Sequence, residues 1–147
     1  MPSQDFAPPT DPEATRTARL PWGPQVVPLI RKAIVEDLQQ LGIAEDVIDD
    51  SEIVVSELVA NALRYAKPLT DGTVRVRWKV KAGVVEVEVS DGGGPSVPKP
   101  APPAVWATSG RGLRIVRSVA HEWGVLEDKS GRTVWASLGG PSRRRTH

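Results

Sequence analysis

The sequence predicts an α+β fold. It is a two-layer α/β sandwich, with a mixed, mostly antiparallel sheet covered on one face by about three helices. Three features carry this reading. Val74, Val76, Trp78 and Val80 alternate with Arg75, Arg77, Lys79 and Lys81; after Ala82-Gly83, Val85, Val87 and Val89 alternate with Glu86, Glu88 and Ser90. Upstream, two stretches carry apolar residues at helical spacing, and downstream a second strand pair brackets a turn. Alternating strands have one apolar face, and the helices are the only cover available for it.

In chain order, a short strand near Arg16–Leu20 is faintly signalled. From about Pro24 to Leu41, Val27, Ile30, Ile34, Leu38 and Leu41 recur with a helix period, and Gly42 supplies a stop. Pro28 is compatible with that helix only in its first turn, where its missing N–H has no helical partner anyway. A longer helix spans about Glu45 to Ala66, opened by acidic residues that suit the positive end of the helix dipole and closed before Pro68. The central alternation folds as a two-residue hairpin in which Val80 faces Val85, Trp78 faces Val87 and Val76 faces Val89. The same register sets Lys79 against Glu86 and Arg77 against Glu88 on the other, solvated face. A short helix over about Gly112–Ala120 turns Leu113, Val116 and Val119 or Ala120 inward. A second hairpin joins Trp123–Glu127 to Arg132–Leu138 across Asp128-Lys129-Ser130-Gly131.

Residues 1–15 read as a disordered, proline-bearing tail, 16–139 as the single domain and 140–147 as a basic tail. Within the domain, 95–109 is a long proline-rich stretch with no helix or strand pattern, the profile of a lid or insert. The 147 residues suit one domain, and Lys+Arg 19 against Asp+Glu 18 leaves a net charge of +1. That balance argues against a dedicated nucleic-acid binder, and Arg143–Arg145 with a strand face matched by Glu86 and Glu88 does not reverse it. With 0 cysteines there is no disulfide framework, thiolate zinc site or cysteine nucleophile. The 2 histidines, His121 and His147, leave little for a metal site or a serine triad; His121 reads as a boundary residue. No apolar run approaches the ~20 residues of a membrane span, and no secretion signal opens the chain, so the expected address is cytoplasmic.

Three segments can carry chemistry. Glu57 and Asn61, four apart, are neighbours on one face of the long helix amid Val54, Val55, Leu58, Val59, Ala62 and Leu63. By spacing alone the pair is equally a solvent-facing stripe or an intrahelical hydrogen bond. Asp91 ends a buried strand and precedes Gly92-Gly93-Gly94. A carboxylate there can accept from an exocyclic amine while glycine lets the backbone approach a ligand, although Asp-Gly is also an ordinary turn. Ser109-Gly110-Arg111-Gly112-Leu113 opens the short helix, where unpaired N–H groups, Arg111 and Arg114 favour an anion. It has neither the Gly-Lys-Ser/Thr ending of a P-loop nor a βαβ setting.

The order and spacing of these segments resemble the N box and the two glycine boxes of the GHKL ATPase superfamily. VVSELVANALRYA, VEVSDGGGPSVP, GRGLRIVRSVAHEWGV and GRTVWASL are closest to its anti-sigma-factor serine/threonine kinase branch, the HATPase_c_2 type. The likeness runs from about Pro24 to Leu138. It implies an ATP-binding GHKL fold with 95–109 as the ATP lid. It implies Glu57 as general base, Asn61 as ligand of a Mg²⁺ that bridges the ATP phosphates, and Asp91 as partner of the adenine amine, with Gly93 passing under the base. Gly110, Arg111, Gly112 and Leu113 would hold the phosphates and Thr133 would support adenine recognition near Asp91. Tyr65, where many relatives carry His, is peripheral in this scheme. The lid is unusually rich in proline, with Lys99 its one cation.

Relatives with large transducer or dimerisation domains do not fit this length, and neither histidine suits a phosphoacceptor. The resemblance therefore implies a free-standing module that transfers the γ-phosphate of ATP to Ser/Thr of a STAS-type anti-sigma antagonist and sequesters a sigma factor. The alternative is a nucleotide-dependent protein-binding module with little kinase activity, suggested by the proline-rich lid. No direct nucleic-acid contact and no membrane are expected, and a homodimer is left open.

Overall fold

The computed structural model describes residues 13–94, 115–116 and 118–140. The chain runs β1 (Ala14–Pro21), α1 (Val26–Gln40), α2 (Glu45–Tyr65), β2 (Thr73–Lys81), β3 (Val84–Asp91), β4 (Glu122–Asp128) and β5 (Gly131–Leu138). The strands form one five-stranded sheet in the order β1-β2-β3-β5-β4. Every neighbouring pair is antiparallel, so the expected mixed sheet resolves to a purely antiparallel one. The reason is the β4–β5 hairpin: β4 runs parallel to β3, but β5 is laid between them.

The β2–β3 register is the predicted one, with Val80 opposite Val85, Trp78 opposite Val87 and Val76 opposite Val89. Ala82 and Gly83 both have positive φ, 53° and 77°, which gives the turn the twist of its flanking strands. On the polar face the ion pair runs diagonally, Lys79 Nζ to Glu88 Oε2 at 3.5 Å, because a long side chain reaches the next pair as easily as its own. β1 begins at Ala14, so the last residues assigned to the tail belong to the sheet, where Ala14 opposes Val80 and Pro21 opposes Thr73.

Pro28 lies in the first turn of α1, as its chemistry requires. Val26, Ile30, Ile34 and Leu38, one turn apart, are all buried. The helix ends in a Schellman pair, Ile43 N–H donating to the Leu38 carbonyl at 3.1 Å and Gly42 N–H to that of Gln39 at 3.1 Å. Ile43 and Leu38 are both in the core, the apolar contact that accompanies this stop. Glu45 and Asp46 occupy the first turn of α2 and Arg64 its last, each complementing the dipole. Residues 115, 116, 118 and 119 are helical, within the short helix expected over 112–120, and Val116 and Ala120 are buried.

The core lies between the helices and one sheet face: Val54, Val55, Leu58 and Val59 of α2 oppose Val74, Val76, Val85, Val87 and Ala136. Each fully buried aliphatic of this set contributes about 1.5–3 kcal/mol of transfer free energy. One polar residue is enlisted here. Asp37 of α1 accepts from Trp78 Nε1 at 2.8 Å and from Arg16 Nε at 3.0 Å, joining helix, β1 and β2. No helix among the described residues is long and apolar enough to cross a membrane.

Candidate nucleotide site

The inward face of β3 reads Val85, Val87, Val89, Asp91, so the fourth position of a valine row is a carboxylate. Asp91 is 2% exposed. It opens onto a narrow cleft whose helix wall is Leu58, Asn61, Ala62 and Tyr65 of α2 and whose sheet wall is Val89, Asp91, Arg132 and Val134. Burial pushes the Asp91 carboxyl above its ordinary value; the Gly93 N–H and the Arg132 guanidinium oppose that rise, and Glu127 adds to it. Oδ1 accepts from Gly93 N–H at 2.7 Å and lies 3.7 Å from Arg132 Nε. Among the described residues nothing hydrogen-bonds Oδ2. A desolvated acceptor with an open lone pair selects an N–H donor such as an exocyclic amine, since leaving it unmatched is costly.

The glycines after Asp91 have separate reasons. Gly93 has φ +88°, which turns its N–H back onto Asp91, and a Cβ there would meet nothing nearer than Gly131 Cα at 3.9 Å. Gly92 has no such room, because a Cβ would run into the Pro68 carbonyl. The two chains are stitched there by Gly92 N–H to the Lys67 carbonyl, 2.7 Å, and Lys67 N–H to the Gly93 carbonyl, 3.0 Å. The residues that follow α2 are thus bonded to the turn that carries Asp91, which ties the cleft's two walls together.

Asn61 and Asp91 both line this cleft. Glu57 lies one turn before Asn61, half-buried and outside the cleft lining, with no described hydrogen-bond partner. Among the described residues no hydrogen bond links Glu57 to Asn61, and both side chains are half-buried. Thr133 lines a second, wider pocket that Asp91 also borders. It opposes Ser90, and their hydroxyls are 2.7 Å apart, on the sheet face turned away from the Asp91 side chain. Strand alternation puts the preceding residue, Arg132, beside Asp91 instead. Tyr65, taken as peripheral, lines the cleft; it follows Glu57 and Asn61 at four-residue steps, a signal already present in the sequence. Gly110, Arg111, Gly112, Leu113 and the stretch 95–109 lie outside the described residues.

A histidine kinase-like ATPase domain (HATPase_c_2) matches residues 20–138, which covers α1, α2, strands β2 to β5 and both cleft walls. The chain belongs to this family. It is 33% identical over 78 residues to the serine-protein kinase RsbW of Listeria innocua, covering 52% of this chain and 50% of that protein. A serine-protein kinase RsbW of Bacillus pumilus is 34% identical over 79 residues, 52% of this chain and 49% of that protein. The chain thus spans about half the length of the curated relatives it matches. In three dimensions it resembles the RsbU and RsbW domains of Rv1364c from Mycobacterium tuberculosis, with a TM-score of 0.66 and 21% identity over 88% of this chain and 34% of that one. That likeness concerns the fold. The family match shows a histidine kinase-like ATPase domain, and the relatives named are serine-protein kinases.

Proposed function

We propose that the cleft binds ATP with Mg²⁺ and that the chain is a serine/threonine kinase acting on a STAS-type anti-sigma antagonist, while also sequestering a sigma factor. The observation that carries this reading is the convergence of the Asn61 amide and the buried Asp91 carboxylate on one cleft from separate elements. Asp91 Oδ2 would accept from the adenine amine. The donor chemistry suits Mg²⁺, since the Asn61 amide that lines the cleft carries a hard oxygen. That amide oxygen would serve as the ion's protein ligand. Bound there, Mg²⁺ supplies charge neutralisation of the triphosphate.

Glu57 would take the proton, the role the family resemblance implies for it. The hydroxyl oxygen of the partner's serine or threonine would bond the γ-phosphorus, its proton would pass to the Glu57 carboxylate, and the bond to the β-phosphate oxygen would break to release ADP. Positioning and charge neutralisation dominate such a transfer. Gly110, Arg111, Gly112 and Leu113 would hold the phosphates, a role implied by the family resemblance. Thr133, which lines a pocket that Asp91 also borders, would support adenine recognition, a role likewise implied by the resemblance.

Incubation with labelled ATP and a STAS-domain protein tests the reading. Phosphoserine or phosphothreonine should form with the wild type and be lost in Glu57→Ala, which should retain nucleotide. Nucleotide binding with no transfer in either protein would overturn the kinase assignment and leave the binding-module alternative. Absence of nucleotide binding would overturn both.

A further inference from the structure

Arg132 is the unforeseen member of the cleft. It stands opposite Asp91 in the β3–β5 register, on the face that α2 covers, and is 9% exposed. Its Nε is 3.7 Å from Asp91 Oδ1 and its Nη1 is 3.8 Å from Oε2 of Glu127 on β4, a side chain 59% exposed. A Cβ on Gly94 would come within 3.3 Å of Nη2, so the guanidinium extends from the Asp91 carboxylate towards Gly94. The two groups that oppose the desolvation of Asp91, the Gly93 N–H and this cation, act on the same oxygen.

We propose that Arg132 is a positioning residue for Asp91: held against Oδ1, it keeps the buried carboxyl charged and leaves Oδ2 as the acceptor offered to the cleft. The use of that acceptor for a purine amine rests on the nucleotide reading above; the action of Arg132 on Asp91 does not. Around Asp91 the charged and titratable groups are Arg132 from β5, Glu127 from β4, the Tyr65 phenol from α2 and, on the segment after α2, Lys67. Lys67 is exposed and therefore screened. Arg132 and Glu127 act with opposite signs: removing the cation should raise the Asp91 titration midpoint and removing the anion should lower it.

The experiment uses Arg132→Met, Arg132→Lys and Glu127→Gln in the full chain. The Asp91 side-chain carboxyl is titrated by carbon-detected NMR in the free protein, and the affinity of a fluorescent ATP analogue is measured from pH 5 to pH 8. The midpoint is expected to move up in Arg132→Met, to return part of the way in Arg132→Lys and to move down in Glu127→Gln. Affinity in Arg132→Met should fall most at acid pH, about tenfold for each pH unit below the new midpoint, and least at pH 8. A side chain that merely supports the fold would lower affinity equally at every pH. An unmoved Asp91 midpoint, or a pH-independent loss, overturns the proposal. If Arg132→Met does not fold, Arg132→Lys decides: a midpoint above that of the wild type supports the proposal and an unchanged one overturns it. Shifted midpoints without nucleotide binding by the wild type would remove the nucleotide reading and still support the action of Arg132 on Asp91.

Discussion

Gly92→Ala tests whether the stitch between the end of α2 and the Asp91 turn holds the cleft. An added Cβ would overlap the Pro68 carbonyl oxygen and lie 2.9 Å from its carbon, closer than Cβ atoms sit in real structures. Both contacts are backbone, so no flexible side chain can yield and the segment must retreat. Retreat breaks the Gly92–Lys67 and Lys67–Gly93 bonds, 2.7 and 3.0 Å long. At a net 0.5–1.5 kcal/mol per bond the expected loss is about 1–3 kcal/mol, or roughly 5–10 °C in a domain of this size. Gly93→Ala is the control. Its Cβ enters open space, so it bears only the penalty of a positive φ, about 1–2 kcal/mol, with the stitch intact. Amide exchange at Lys67 separates the two by mechanism: the amide should lose protection in Gly92→Ala and keep it in Gly93→Ala. Nucleotide affinity should fall further in Gly92→Ala, where Asp91 shifts relative to Asn61. A melting temperature for Gly92→Ala within a degree of the wild type, with the Lys67 amide still protected, would refute this account of the cleft's rigidity.

Further outcomes follow from other parts of the fold. Asn61→Ala should abolish the Mg²⁺ dependence of ATP binding while the fold survives, checked by calorimetry with and without the metal. Ile34→Ala, at a fully buried position on α1, should lower stability by about 2–5 kcal/mol in denaturant unfolding. Ala82→Gly should stabilise by a few tenths to about 1 kcal/mol, because alanine holds a left-handed conformation at φ 53° that glycine adopts freely. Stability against pH should carry opposing contributions. The Asp91 carboxyl titrates higher in the folded chain than its ordinary 3.8, so its contribution declines as pH rises from that value through the folded one; Asp91→Asn should remove this decline. Asp71 and Asp128, each held low chiefly by a side-chain hydroxyl, from Thr73 and Ser130 respectively, stabilise above 3.8. Their contribution is lost as pH falls below it, and substitution by Asn should flatten the acid limb.

The parts of the fold legible in the sequence are those whose partners are close along the chain. The Ala82-Gly83 hairpin was readable to the residue because a single register satisfies both its faces. The helices were readable because Ile30, Ile34 and Leu38 keep one stripe and Gly42 ends it. The β3–β5 pairing was not legible, since the two strands are separated by a long connection and no local pattern sets their register. Two features of the site lie beyond local pattern for that one reason. Without the register, Thr133 could not be placed on the far face, and Arg132 could not be seen beside Asp91. Tyr65 is different, because its four-residue step from Asn61 was on view and the family resemblance drew attention away from it. Asn61 and Asp91 were found by motif, but that they share a cleft is a property of how α2 crosses the sheet.

Asp37 gives the outermost strand a dependence that its own composition conceals. β1 has a half-exposed surface and only faint strand character, yet its Arg16 grips the carboxylate that also receives the Trp78 indole. One acidic side chain therefore serves as the buckle between an edge of the sheet and its cover. Neutralising it would loosen three elements at once, and β1 would be the first to peel away.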